Sequence, residues 1–271
     1  MNALAKVHDF DELEKIFIQL PQASGSVRHM FAPGMYIREL TIPADSYVIS
    51  HKHKHAHLNL FIKGSGYMLT EDDRKIPMQA PMVFVGQPGR KVGYCKEEVV
   101  WVNIFQTDET DIDKLEEMYL DKSETFCNAA LAHEQKLLPG DDYKAFLAEV
   151  GIDESKAREI SETDDVIPFP HGIYKVKIGR SGIEGKGLIC TSDLAEGEFI
   201  CAARIGRFRT PAGKYANHSD TPNAKMLSVD NSLVLVALRP IKGCAGGYDG
   251  EEITVDYRQV LATNLLTGLQ S

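Results

Sequence analysis

The stretch His51-Lys-His-Lys-His-Ala-His-Leu-Asn-Leu-Phe-Ile-Lys-Gly64 is the most informative passage in the first hundred residues. Its four histidines alternate, and a strand has a side-chain period of two, so one uninterrupted strand would point His51, His53, His55 and His57 the same way. At roughly 3.3 Å per residue, His51 and His57 would then stand about 20 Å apart. Metal–nitrogen bonds are only about 2.1 Å long, so one ion could not hold both ends of such a strand. A single site therefore requires the chain to turn near Lys54–Ala56, bringing His51 and His53 beside His57. Beyond the turn, Leu58-Asn59-Leu60 leads into Gly64-Ser-Gly66, a strand followed by a tight turn.

The surroundings read as β. Met35 to Ile42, His57 to Lys63, Gly66 to Thr70, Met82 to Val85 and Val99 to Phe105 are short runs rich in β-branched and aromatic residues. Pro43-Ala-Asp45, Asp72-Asp73 and Gln87-Pro-Gly89 punctuate them. Many short strands with tight turns predict a small barrel or sandwich. With His51, His53 and His57 ahead of a Gly-closed hairpin, this region resembles the cupin family, and within it small cupin-like proteins encoded by tailed phages and prophages. His57 stands where that family usually has Glu. The Pro88-Gly-Arg-Lys-Val-Gly-Tyr94 turn lacks the histidine of the second cupin motif. The resemblance implies a β-barrel whose His51, His53 and His57 hold a divalent transition metal; neutral imidazoles suit zinc, nickel, copper or iron. The alternative is that these histidines are solvated loop residues interleaved with Lys52 and Lys54.

A second constellation lies in the last hundred residues. Ser181-Gly-Ile-Glu-Gly185-Lys186-Gly187-Leu188, then Asn217-His218-Ser219-Asp-Thr-Pro222-Asn223, then Gly250-Glu251-Glu252-Ile-Thr254-Val-Asp256-Tyr257 follow one another in the chain. Singly these are a turn, a polar loop and a hairpin corner. As an ordered triple, over about residues 173–258, they resemble the SET-domain methyltransferases. That resemblance implies an S-adenosylmethionine-dependent enzyme that methylates a protein lysine. It places Gly185, Lys186, Gly187, Asn217 and His218 against the cofactor and the Tyr257 hydroxyl beside the transferring methyl. Glu251, Glu252 and Asp256 take a packing role at the crossing of the last two segments. Methyl transfer to an amine is an in-line displacement in which positioning dominates, and no resident base is required.

The sequence departs from that family in three places. The wall of the lysine channel is reduced to Cys201 through Ala216, Asp220 replaces the usual cysteine, and no cysteine triplet follows Tyr257. Residues 259–271 could form a short apolar helix closing the pocket. The alternatives are a module that binds cofactor or peptide without turnover, such as a phage assembly module, and metal-dependent cupin chemistry in the first domain. Arg204, Arg207, Arg209 and Lys214 either steer an acidic substrate or form a solvated loop.

Charge separates three regions. Residues 1–106 carry 12 basic and 11 acidic side chains, 107–171 carry 6 and 18, and 172–271 carry 12 and 10. Helical spacing in Ile112, Leu115, Glu116, Met118 and Tyr119, and in Tyr143, Phe146, Leu147 and Val150, marks the acidic middle as helical. Gly151 stops the second helix, and Asp153 caps another running through Arg158. The expected fold is thus mainly β with a helical connector: a cupin-like barrel (1–106, with a leading helical segment in 1–24), the connector (107–171) and a SET-like β fold (172–271).

A net charge of −9 over 271 residues argues against a general nucleic-acid binder. No apolar run nears the roughly 20 residues of a membrane span. Five scattered cysteines without a CxxC pair suit a reducing compartment, so a cytoplasmic protein is expected, in a bacterial host if phage-encoded. The pairing of the two domains makes a homo-oligomer plausible.

Overall fold

The computed structural model describes residues 9–71, 74–133 and 142–267. The turn expected at Asp72-Asp73 and the last four residues of the terminal helix expected over 259–271 lie outside them. The chain divides into two compact units: residues 1–109, 114–133 and 245–248 form the first, and residues 110–113, 134–244 and 249–271 the second. Among the described residues no helix is long and apolar enough to cross a membrane.

Unit 1 begins with helix α1 (Phe10–Gln19), started by Asp9, whose carboxylate accepts from the Asp11 and Glu12 amides. Ten strands follow: β1 (Ser26–Ala32), β2 (Met35–Ile42), β3 (Ser46–Ile49), β4 (Lys52–His53), β5 (His57–Lys63), β6 (Ser65–Thr70), β7 (Lys75–Gln79), β8 (Met82–Gly86), β9 (Lys91–Cys95) and β10 (Val99–Gln106). Most of helix α2 (Ile112–Tyr119), strand β11 (Leu120–Asp121) and helix α3 (Glu124–His133) complete the unit. The strands form an antiparallel sheet in the order β1-β2-β10-β5-β8 and a second in the order β3-β9-β6-β7, while β4 pairs with β11. These antiparallel strands are the small barrel or sandwich expected of the region. One end is filled by Phe61, Met68, Met78, Cys95 and Val99, with Ile42, Trp101 and Met82 packed against them. The alternation of each strand puts these residues on the inner face.

Unit 2 opens with helix α4 (Asp142–Val150) and helix α5 (Glu154–Ser161). Gly151 ends α4 with φ of 71°, a left-handed position that suits glycine, and the Ile152 amide donates back to the Leu147 carbonyl. Asp153 caps α5 by accepting from the Lys156 amide at 2.7 Å. The strands are β12 (Gly172–Tyr174), β13 (Val176–Arg180), β14 (Lys186–Cys190), β15 (Phe199–Ile205), β16 (Phe208–Arg209), β17 (Asn217–His218), β18 (Ala224–Val229), β19 (Ser232–Ala237) and β20 (Glu252–Val255). Helix α6 (Pro211–Tyr215) precedes β17, and helix α7 (Tyr257–Thr267) ends the unit. One sheet runs β16-β15-β19-β18, all antiparallel; the other runs β13-β14-β20-β17, in which β17 and β20 are parallel.

Strand β20 therefore lies between β14 and β17, and all four of its residues are buried. Asn223 fixes it there: its amide donates to the Glu252 carbonyl at 2.8 Å and accepts from the Thr254 amide at 2.9 Å. The short segment 201–216 is packed just as closely. Thr210 caps α6, and a Cβ at Gly213 would collide with the Ala203 carbonyl of β15. Gly213→Ala is thus expected to destabilise unit 2 by about 1–3 kcal/mol, measured by urea denaturation. No change would mean that α6 can move off β15. Of the basic run, Arg209 is structural: it donates to Asp165, Thr163 and the Ser161 carbonyl. Arg207 lies over the Phe208 ring at 4.7 Å.

Candidate functional sites

In unit 2 the three motif segments meet. Glu252, 7% exposed, receives the Ser181 hydroxyl at 2.8 Å, the Gly182 amide at 3.0 Å and the Asn217 side-chain amide at 2.7 Å. The same Asn217 amide reaches the Lys186 carbonyl at 3.2 Å. Gly187 is bare because a Cβ would strike the Glu252 carboxylate, so its glycine serves this buried acid rather than the close ligand approach expected of it. Gly185 has φ of 58° and open space around it. The Lys186 ammonium pairs with Asp113 at 3.1 Å. Of the acids expected to hold the crossing of the last two segments, Glu252 does so through Asn217, whereas Glu251 and Asp256 bond elsewhere. Glu251 takes Arg239 and the Lys242 amide, and Asp256 accepts from the Arg258 amide at the start of α7.

Both ring nitrogens of His218 are engaged: Nδ1 accepts from the Tyr257 amide at 3.2 Å, and Nε2 lies 3.0 Å from Asp142. The imidazole is thus a brace. Its backbone differs, because β17 is the edge strand of its sheet and the Ser219 amide donates to Val255 of β20. Alternation along the strand then turns the His218 N–H and C=O toward the open edge.

Tyr257 donates to the Ala216 carbonyl at 3.3 Å, and burial pushes its phenol far above the ordinary tyrosine value. The hydroxyl is therefore a neutral dipole and not a base. Its ring centroid lies 5.1 Å from His218, 5.7 Å from Phe146 and 6.2 Å from Tyr143. Phe146 and Tyr143 come from α4, a segment that the sequence reading treated as a connector. Arg258 ties α4 down, bonding Asp142 at 2.7 Å and Glu149 at 2.7 Å, and these bonds hold both carboxyls below their ordinary values.

In unit 1 the chain turns at Lys54–Ala56, as a single site would require, and the rings of His53 and His57 come to 4.4 Å, nearly stacked. The three expected ligands do not converge, however. His51 stands edge-on to Phe126 at 4.5 Å, and His55 faces Tyr119 at 6.3 Å. His57 is used at both nitrogens: Nδ1 donates to the His55 carbonyl at 3.1 Å, and Nε2 faces the Asn103 amide at 3.4 Å. Among the described residues no group of three His, Cys, Asp or Glu side chains is placed to hold an ion. These residues do not fit a metal centre of the type the resemblance implied.

What they do form is a polar row. Strand register sets His29 opposite Arg38, Arg38 opposite Asn103 and Asn103 opposite Asn59, on four adjacent strands. Asn59 accepts from both Trp101 Nε1 and Asn103, each at 2.7 Å, and His29 meets the Tyr36 hydroxyl at 2.8 Å. The inner face thus changes from apolar to polar between Trp101 and Asn103. Parity within the strands marks these residues as inward, since Arg38 shares a face with Tyr36 and Leu40, and Asn103 with Trp101 and Phe105.

Burial, with Lys122, Arg38 and Lys91 nearby, pulls the His51 imidazole down to about 4 and His53 to about 3. Both are neutral in the folded protein at pH 6, whereas the unfolded chain takes up a proton on each below about 6.5. Acid therefore favours unfolding of unit 1. Stability is expected to fall from about pH 6.5 down to about pH 3, by up to about 1.4 kcal/mol per pH unit for each group, and to level off below. Urea denaturation of the wild type and of a His51→Phe, His53→Phe variant checks this; equal pH slopes in the two would contradict it.

Neither a family model nor a curated protein matches the sequence. Among solved structures, ectoine synthase from P. lautus is similar at 13% identity, covering 39% of this chain and 83% of that one, with a TM-score of 0.30. A cupin-2 domain protein from Shewanella frigidimarina NCIMB 400 is similar at 16% identity, covering 38% and 96%, with a TM-score of 0.26. A cupin superfamily protein from Desulfitobacterium hafniense DCB-2 gives 14% identity, 35% and 87% coverage, and a TM-score of 0.27.

Proposed function

We propose that unit 2 is an S-adenosylmethionine-dependent methyltransferase of SET type acting on a protein lysine. The observation that carries this reading is the meeting of three distant segments. Asn217 bonds the carbonyl of Lys186 and the carboxylate of Glu252, and the strand holding Asn217 and His218 runs beside the one leading to Tyr257. The open edge at His218 suits the adenine rim, which needs one donor and one acceptor, and the nearby rings of Phe146 and Tyr257 offer flat apolar faces. When bound, S-adenosylmethionine supplies a sulfonium methyl whose C–S bond breaks, the electron pair staying on sulfur, as a nitrogen–carbon bond forms.

The chain's own groups do the rest. A lysine is mostly charged near pH 7, with a pKa of about 10.4, and must arrive neutral. Removal from water and the positive sulfonium of a bound cofactor both disfavour the ammonium and lower that pKa, so the proton leaves to solvent. The protonated Tyr257 hydroxyl, backed by the Ala216 carbonyl, orients the amine lone pair. Helix α4 stands in for the channel wall that the short segment 201–216 lacks. Incubating the full chain with methyl-labelled cofactor and a bacterial lysate tests the proposal: a discrete labelled protein is expected, and absence of any labelled product overturns it.

The polar inner half of the barrel favours a second reading for unit 1, that it binds a small ligand or supports cupin-type chemistry, metal-dependent if an ion is taken up. Metal analysis after loading with zinc or iron addresses the ion directly. A stoichiometric ion lost in His53→Ala supports metal dependence, and none bound removes it.

A further inference from the structure

We propose that the inner half of the unit 1 barrel is an oxyanion site, for the carboxylate head of a small ligand, built on Arg38 and His53. A half-open cavity of about 10 Å³ lies there, lined by Tyr36, Arg38, His53 and Asn103 from the barrel and by Glu116 and Tyr119 from α2. That volume admits one water-sized group at a time, such as a carboxylate oxygen.

Two polar atoms in this cavity have no partner, the Arg38 Nε donor and the His53 Nδ1, which is a donor in one of its two tautomers. Both are buried and make no hydrogen bond among the described residues. A buried guanidinium nitrogen without an acceptor is costly, and such groups in native proteins ordinarily meet an ion, a water or a ligand. The neighbouring polar groups do not meet this need. Asn103 spends its amide on Asn59, and His57 spends its nitrogens on His55 and Asn103. Glu39, the next residue on the strand, turns away to Arg28. Glu116, the one acid of the lining, is held by Lys122 at 2.5 Å, which offsets its charge.

Most of the charges felt within the cavity are positive, and Glu116 is the one opposed to them. His53 is depressed first by burial and then by His57, Lys91 and Arg38, and His51 by burial and then by Lys122 and Arg38. The surroundings are thus electropositive, and a cation there would meet Arg38 where an anion meets a donor. A guanidinium edge and a ring N–H accept a planar carboxylate well. Arg38 stands in register between His29 and Asn103 on its two neighbouring strands.

Titration of the full chain with sodium formate, acetate and pyruvate, against sodium chloride at equal ionic strength, tests this by calorimetry and thermal melting. At least one carboxylate is expected to bind saturably and raise the melting temperature, with the affinity reduced at least tenfold in Arg38→Met and reduced less in Arg38→Lys, which keeps the charge but loses the fork. Should Arg38→Met fail to fold, Arg38→Lys and His53→Phe carry the comparison. Absence of saturable carboxylate binding to the wild type, or binding unchanged in these variants, overturns the proposal, as does a stoichiometric metal ion displaced in His53→Phe.

Discussion

Tyr257→Phe is expected to lower methyl transfer by about 10²–10³-fold, the loss typical of removing one hydrogen-bonding group from the reacting centre. The substitution deletes only the hydroxyl that donates to the Ala216 carbonyl at 3.3 Å. The ring keeps its contacts with His218, Phe146 and Tyr143, and the amide still donates to His218 Nδ1. Stability should therefore fall by only about 1 kcal/mol, and cofactor affinity should hold. Single-turnover assays with labelled cofactor, alongside urea melts, separate the two quantities. A variant as fast as wild type would reduce Tyr257 to a packing residue.

The second large effect is one of stability. Glu252→Ala removes the acceptor shared by Ser181, Gly182 and Asn217, leaving these donors in the buried crossing of β14, β17 and β20. Charge-assisted bonds of this type are the strong ones, and stranding their partners adds a desolvation penalty. The expected cost is about 3–5 kcal/mol, with hydrogen exchange accelerating first at β14 and β17. Glu252→Gln keeps the shape and should lose less. A change below about 0.5 kcal/mol for Glu252→Ala would show that the three segments are held by packing alone.

Much of the fold was legible in the sequence because strands with one buried face announce themselves by alternation. Met35–Ile42, His57–Lys63 and Val99–Phe105 became β2, β5 and β10 almost residue for residue. The strands that were missed have physical reasons. β7 contains Pro77, tolerated because β7 is the edge of its sheet. β1 carries Arg28 and His29, polar residues that break an apolar alternation although His29 points inward. The run expected from Tyr174 to Ile178 breaks at Lys175, whose carbonyl takes the Thr191 amide and whose ammonium reaches Glu198.

The same limits apply to the sites. Asn217, His218 and Tyr257 were found by motif, but two of their expected roles shifted. The Asn217 amide and the His218 ring brace the fold. Tyr143 and Phe146 were read only as the face of a connector helix and Asp142 was not singled out, because an acidic segment reads as solvated, whereas its carboxylates hold Arg258 across more than a hundred residues of sequence. Charge composition does not reveal such pairing. In the barrel, the repeated histidines drew attention to a metal, while the unpartnered donor, Arg38, was a single charge on a strand. Only its parity with Tyr36 marked it as inward.

The most direct test of the central claim is a calorimetric titration of the full chain with S-adenosylmethionine and with its demethylated product. Saturable binding of one equivalent to the wild type is predicted, and it is retained in Tyr257→Phe. A wild-type protein that folds normally yet takes up neither compound at millimolar concentration would contradict the account.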